Sequence, residues 1–237
     1  MYPRIIIKEL RPLNLEGGYL IDGFPSVGFS SAIAAESMIH TSQFKLAGII
    51  DSDVFPPISL IKDGKPNYPT RIFVNDELKV AAFVSHLTLE ASLHRGIAKK
   101  MLRWAKNKKI SLIVSSIAVK SIEKNEEIIA VGSTDSATKK IKESGIKILE
   151  NGTIPGIPGM LLNEGSLTEQ DVIVILIHSD GVSPDFRSSA NLCMAISQLI
   201  PGTSCNIPAL QEEAKKVEQV IKKDVEEAWH LKDSMYR

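Results

Sequence analysis

With 237 residues the chain can bury a core of its own, and it suits one sizeable α/β domain with an appendage better than two small domains. Lys plus Arg and Asp plus Glu each total 28, so the formal net charge is +0 and no overall field holds the protein on a nucleic acid or an anionic membrane. The longest strongly apolar run, VIVILI at 172–177, is far too short to span a bilayer.

The opening MYPRIIIKEL lacks the apolar centre and cleavage site of a signal peptide, so the expectation is a soluble, cytoplasmic protein. Cys193 and Cys205 supply neither a disulfide framework nor a zinc-ligand set. The expectation is two small buried hydrophobes in a reducing compartment, with a redox pair as the minor alternative.

Apolar runs of strand length alternate with segments of helical period, the pattern of a largely parallel sheet covered by helices. GGYLID (Gly17 to Asp22) reads as a strand, GFPSVGFS as a loop and SAIAAESMIH as a helix; FKLAGIID (Phe44 to Asp51) is the next strand. The stretch from Pro56 to Pro69 reads as a connection rich in turn residues. RIFV and KVAAFV then read as paired strands joined at Asn75 to Glu77, the antiparallel part of the sheet.

Leu89, Leu93, Ile97, Met101 and Trp104 recur at spacings of three and four, predicting an amphipathic helix from Leu89 to Lys106. ISLIVSSIAV (Ile110 to Val119) and DVIVILIHS are central buried strands. STDSATKKIKESG carries a cap at Ser133 or Thr134 and a stop at Gly145. PDFRSSANLCMAISQLI opens a helix with Pro184 and Asp185 in its first turn. From Ala209 to Asp233 there is no Gly or Pro, and an apolar stripe runs from Leu210 to Leu231, predicting a terminal helix of about 37 Å at 1.5 Å per residue. The organisation expected is an α/β/α domain over 1–208 followed by this helix and a tail over 209–237.

Several stretches are placed for chemistry, and each has a plainer reading. GFPSVGFSS, with Gly23, Phe24, Gly28 and Ser30, lies between a strand and a helix N-terminus, where backbone N–H groups attract anions. It lacks the Lys-Ser/Thr of a phosphate-binding loop and has Pro25 where the dinucleotide pattern needs glycine, so a tight turn is the plainer reading. His86, Glu90 and His94 are spaced four apart and would share a helix face suited to a metal, but the helix starts too late to include His86, and no metal is expected.

His178, Ser179, Asp180 and Asp185 end a strand without a nucleophile elbow. GTIPGIPGMLL, with Gly156 and Gly159, reads as a rigid turn into a helix. No catalytic residues and no cofactor are assigned. Phe24, Val54 and Phe55 are the apolar loop positions expected to be exposed and to suit an interface.

Taken in order, GFPSVGFSSAIAAESMI, GSTDS, GTIPGIPGMLL and SPDFRSSANLCMAISQLI resemble the archaeal proteasome assembly chaperone family, relatives of the eukaryotic proteasome assembly chaperones; the resemblance covers roughly Gly18 to Ile200. It implies a three-layer α/β/α sandwich with a mostly parallel central sheet, similar to nucleoside phosphorylases. It also implies homo-oligomerisation, with or without a paralogous chaperone, and binding to proteasome core α-subunits instead of catalysis. The phosphorylase likeness leaves a phosphate- or nucleoside-binding enzyme as the alternative, with the Gly23 to Ser31 loop on the phosphate and Asp180 or Asp185 near the base.

The last three residues, Met235, Tyr236 and Arg237, match the hydrophobic-Tyr-any pattern with which proteasome activators and one branch of that family end. Such a tail would place its ring and its terminal carboxylate in a pocket between neighbouring α-subunits. Its plainer reading is a tyrosine folded back on the domain.

Overall fold

The computed structural model of the chain describes residues 4–120, 127–179 and 184–215. Its first strand, β1 (Ile5–Glu9), is one that composition alone did not single out; β2 (Tyr19–Gly23), α1 (Ser30–Thr41) and β3 (Lys45–Ser52) follow as the sequence predicts. Between β3 and β6 (Thr70–Asn75) the stretch read as connection contains a two-stranded hairpin, β4 (Leu60–Lys62) and β5 (Lys65–Asn67). Its turn residues Asp63 and Gly64 have φ of 51° and 72°, and positive φ at both central positions is the requirement of the tightest hairpin turn.

β7 (Val80–Ser85) leads to α2 (Ala91–Asn107), whose stripe Leu93, Ile97, Met101 and Trp104 is buried. Then come β8 (Leu112–Lys120), β9 (Ile129–Gly132), α3 (Asp135–Glu143), β10 (Lys147–Ile148), α4 (Gly156–Thr168), β11 (Asp171–Ser179) and α5 (Phe186–Leu199). Residues 207–215 are helical.

Nine strands form one sheet in the order β1-β3-β6-β7-β2-β8-β11-β9-β10. β7, β2, β8 and β11 run parallel at its centre, and antiparallel strands flank them on both sides. Parallel strands need coverage on both faces, which is why β8 and β11 are almost continuously apolar. α1, α3 and α5 pack on one face over a core that includes Met38, Ile141 and Leu192; α2 and α4 pack on the other around Phe83, Met101 and Leu161. The result is the three-layer α/β/α sandwich. Trp104 stacks obliquely on Phe83 and donates its indole N–H to Glu9 at 2.9 Å, which ties edge strand β1 to α2. Among the described residues, no helix is long and apolar enough to cross a membrane.

The cysteines require a correction. Cys193 in α5 and Cys205 beyond it form a disulfide, so they are a bonded pair and not two independent hydrophobes, although Cys193 is buried as expected. The spacing of 12 did not disclose this, because the Pro201-Gly202 turn folds the chain back onto α5 and brings the two Cα atoms to 6.1 Å.

Thr134 caps α3: its Oγ1 accepts from the Ala137 N–H at 3.0 Å and donates to the Asp171 carboxylate at the start of β11. Thr134→Ala should lower unfolding stability by about 1 kcal/mol in urea titration, and an unchanged midpoint would show that the cap is dispensable.

Candidate functional site at the carboxyl edge of the sheet

The carboxyl ends of the parallel strands gather the residues singled out from the sequence. Gly23 ends β2 beneath α1, where a Cβ would stand 2.7 Å from both the Ala35 Cβ and the Phe83 carbonyl oxygen, so only glycine lets the helix seat there. After Pro25 the chain makes a single 3-10 turn, Val27–Phe29, with Gly28 at φ 69° and Phe29 at φ 57°. Two consecutive left-handed residues reverse the chain into α1 and leave the Phe29 ring 39% exposed.

The polar groups of the loop satisfy one another. Ser26 Oγ lies 3.1 Å from Ser30 Oγ and 2.8 Å from Ser31 Oγ, which is 2.8 Å from Ser116 Oγ of β8. The Gly28 carbonyl accepts from the Asp185 N–H at 2.8 Å and joins the loop to the start of α5. The loop is a tight turn whose serine hydroxyls bond to one another and to β8.

Phe24 and Phe55 are buried at 6% and 8% in the core on the α2 side, whereas Val54 is exposed; the expectation that all three face solvent holds for Val54 alone. Asp22, beside Gly23, is wholly buried. It accepts from Ser115 Oγ at 2.6 Å and from the Phe24 N–H at 3.1 Å. Burial pushes its carboxyl up to about 6 against the opposing pull of those two hydrogen bonds.

Asp185 is committed to structure. Oδ1 accepts from the Ser188 N–H at 2.9 Å and Oδ2 from the hydroxyls of Ser179 and Ser188 at 2.6 and 2.7 Å, so it caps α5 and pins β11 to it. Asp180 lies outside the described residues. His86, Glu90 and His94 are not brought together: His86 precedes α2, Glu90 stands at its N-cap, and His94 Nε2 sits 3.3 Å from the Leu89 carbonyl oxygen. Among the described residues no three His, Cys, Asp or Glu side chains gather as a metal set.

Gly156 opens α4 at φ 76° beside the His94 ring. One turn on, a Cβ at Gly159 would stand 1.9 Å from the Ile154 carbonyl oxygen, so Gly159 serves close packing while Gly156 serves its left-handed backbone.

One cluster had no spacing signal. Glu36, in the second turn of α1, lies 3.4 Å from Arg71 Nη2 of β6 and 3.2 Å from His86 Nε2 at the end of β7; Arg71 in turn lies 3.0 Å from that ring nitrogen and over the Phe73 ring. Burial pushes the Glu36 carboxyl up, but the His86 hydrogen bond and the Arg71, His86 and His40 charges outweigh it and hold the group below the usual carboxylate range. Glu36 and His86 wall a cavity of about 440 Å³ whose other lining includes Phe29, Ile33 and Leu210. Arg71 and Glu36 are 35 residues apart in sequence, and no helical or strand period relates them. Met235, Tyr236 and Arg237 lie outside the described residues.

Two outcomes follow from this packing. Between pH 4 and pH 6 the unfolded state ionises Asp22 while the folded state keeps it protonated, so stability falls as pH rises through that window, by about 3 kcal/mol in all. Asp22→Asn should flatten the fall in urea titrations at pH 4, 5, 6 and 8; an equal slope in both proteins would contradict the assignment. Gly159→Ala should cost about 1–3 kcal/mol in thermal unfolding, the usual effect of overpacking.

The PAC2 family model matches residues 20–225. Among solved structures the chain is similar to PbaA of Pyrococcus furiosus, described as an archaeal homolog of proteasome-assembly chaperone, at 26% identity and a TM-score of 0.83 over 98% of this chain and 96% of that one. PbaB of the same organism, described as an archaeal proteasome activator, shares the fold at 20% identity and a TM-score of 0.80, over 94% of this chain and 99% of that one. An uncharacterized protein of Methanocaldococcus jannaschii is 25% identical over 224 residues, 94% of this chain and 91% of its own. With three glycine-bearing motifs set at the turns and packing points of this sandwich, a fourth motif forming α5, and the family match running from β2 past α5, the chain belongs to the PAC2 family.

Proposed function

We propose that this protein is a non-enzymatic, cytoplasmic partner of the proteasome, an assembly chaperone or activator-like factor, and that it docks on α-subunits of the core particle through Met235, Tyr236 and the terminal carboxylate of Arg237. The observation that carries the reading is the full-length likeness to PbaA within the PAC2 family, joined to the hydrophobic-Tyr-any ending of this chain.

The tail works by terminal capture. The Tyr236 ring fills an apolar crevice, its hydroxyl stays at the wet rim, and a cationic side chain pairs with the last carboxylate. A single three-residue insertion binds weakly. Several copies in one homo-oligomer convert the second and later insertions into intramolecular events, and avidity follows without new contacts.

The carboxyl edge supplies apolar surface suited to self-association: Val27, Phe29, Val54, Ile58, Ile61 and Tyr68 are all exposed there. The Gly23, Phe24, Gly28 and Ser30 turn shapes this edge, and Gly156 and Gly159 let α4 seat beside it. The domain over 1–208 thus forms the oligomer, and 209–237 presents the tail.

Core particles titrated over immobilised full-length protein should bind. Tyr236→Ala and a chain lacking Met235 to Arg237 should weaken that binding at least tenfold, about 1.4 kcal/mol or more. Equal binding by all three proteins would remove the tail from the mechanism.

A further inference from the structure

The disulfide stands at a mechanical junction. Beyond α5 the chain turns at Pro201-Gly202, and Thr203 donates its hydroxyl to the Ile200 carbonyl at 2.7 Å. From Ser204 onward few ties hold the segment to the body before Leu210 is buried. Ser42 and Ser204 exchange two hydrogen bonds at 3.3 and 3.1 Å, both at the surface, Ile207 packs partly on the core, and the Cys193–Cys205 bond is the one covalent tie. Asn206 then accepts from the Ala209 N–H at 3.1 Å and begins the helical residues 207–215.

The two sulfurs differ in access. Cys193 is 1% exposed inside the core formed with α1, and Cys205 is half-buried at the wall of a cavity of about 650 Å³ lined also by Ser37, His40, Thr41, Asn206 and Pro208. Thiol exchange requires in-line approach of a thiolate to a sulfur, so it is directed to the sulfur that solvent reaches. Both sulfurs lie near one acceptor, the Ala34 carbonyl oxygen of α1, at 3.5 and 3.7 Å.

We propose that Cys205 is a thiol-exchange site, and that opening of the Cys193–Cys205 bond by a dithiol reductant frees residues 204–209, the stretch between the Thr203 tie and the buried Leu210. The reductant thiolate forms a bond to Sγ of Cys205 as the disulfide breaks, and the electron pair leaves on Sγ of Cys193. That thiolate takes up a proton and donates the new S–H to the Ala34 carbonyl. The second reductant thiol then attacks its own mixed-disulfide sulfur, forms the cyclic oxidised reductant and leaves Cys205 as a free thiol; two electrons and two protons have passed to the protein. Loosening of 204–209 weakens the hold of the body on the segment that leads to the tail, so docking through the tail, which rests on the reading above, weakens in the reduced form.

The test uses full-length protein purified in air and titrated with dithiothreitol. Free thiols are counted by alkylation and mass spectrometry, hydrogen exchange is read over 203–215 and over α5, and core-particle binding is measured on the same samples. A Cys193→Ala/Cys205→Ala protein, checked for cooperative unfolding, supplies the open state without reductant. The expected result is no free thiol at the outset, alkylation of Cys205 ahead of Cys193, exchange over 204–209 faster by about tenfold or more with α5 unchanged, and weaker binding to core particles. Two free thiols at the outset, or exchange indifferent to reduction, overturns the proposal. Exchange that responds while neither form binds core particles removes the proteasome reading and leaves the latch standing. Exchange that responds while both forms bind equally overturns the coupling to docking.

Discussion

The seating of α1 on the centre of the sheet is the contact on which the rest of the molecule depends. It comes as close as it does because Gly23 has no side chain to place between Ala35 and the Phe83 carbonyl, and because Gly28 and Phe29 both take left-handed backbone to swing the chain from β2 into the helix. From that seat α1 reaches four other parts of the protein. Ser31 meets Ser116 of β8, Ala34 backs the disulfide, Glu36 meets Arg71 and His86, and the helix's outer side helps enclose Leu210. A larger side chain at position 23 would lift all of these together, since densely packed interiors transmit strain instead of absorbing it.

The carboxyl edge also shows how environment separates a buried carboxylate, Asp22, from a half-buried one, Glu36. Asp22 has hydroxyl and amide donors but no cation near it, and desolvation wins; Glu36 has an arginine and two histidines around it, and the charged form wins. The first group is a stability cost at neutral pH, held in place because it orders Ser115 and the Phe24 backbone. The second is an anion at the wall of a mostly apolar cavity, with Arg71 held over the Phe73 ring.

The surface divides the labour of the proposed function. Turns after β2 and β3 and the β4–β5 hairpin raise apolar side chains on one edge, where copies of the chain would meet, while the helical residues 207–215 beyond α5 pack on the body through Leu210 and Ala214. An association built on tails needs the domain to hold each tail's origin in position, because effective concentration depends on where the linker starts. The disulfide, the Ser42–Ser204 pair, Ile207, Leu210 and Ala214 are among the contacts that hold that origin here.

The sequence by itself determined which segments are strands and helices wherever burial is periodic or continuous. The α2 stripe, the runs of β8 and β11, the Thr134 cap and the glycine-rich turns were all legible, because side-chain period, capping chemistry and left-handed backbone are local properties. The β4–β5 hairpin was legible in principle through Asp63-Gly64, but its strands carry no alternating pattern long enough to compete with the surrounding turn residues. The short β9 and β10 and the edge strand β1 were silent for the same reason. Only the tertiary structure decided the strand order, the union of Cys193 with Cys205, the burial of Phe24 and Phe55, and the meeting of Glu36, Arg71 and His86. Each of these is set by which distant residues become neighbours; a hydrophobic pattern records that a side chain will be buried and carries no information on what it will be buried against.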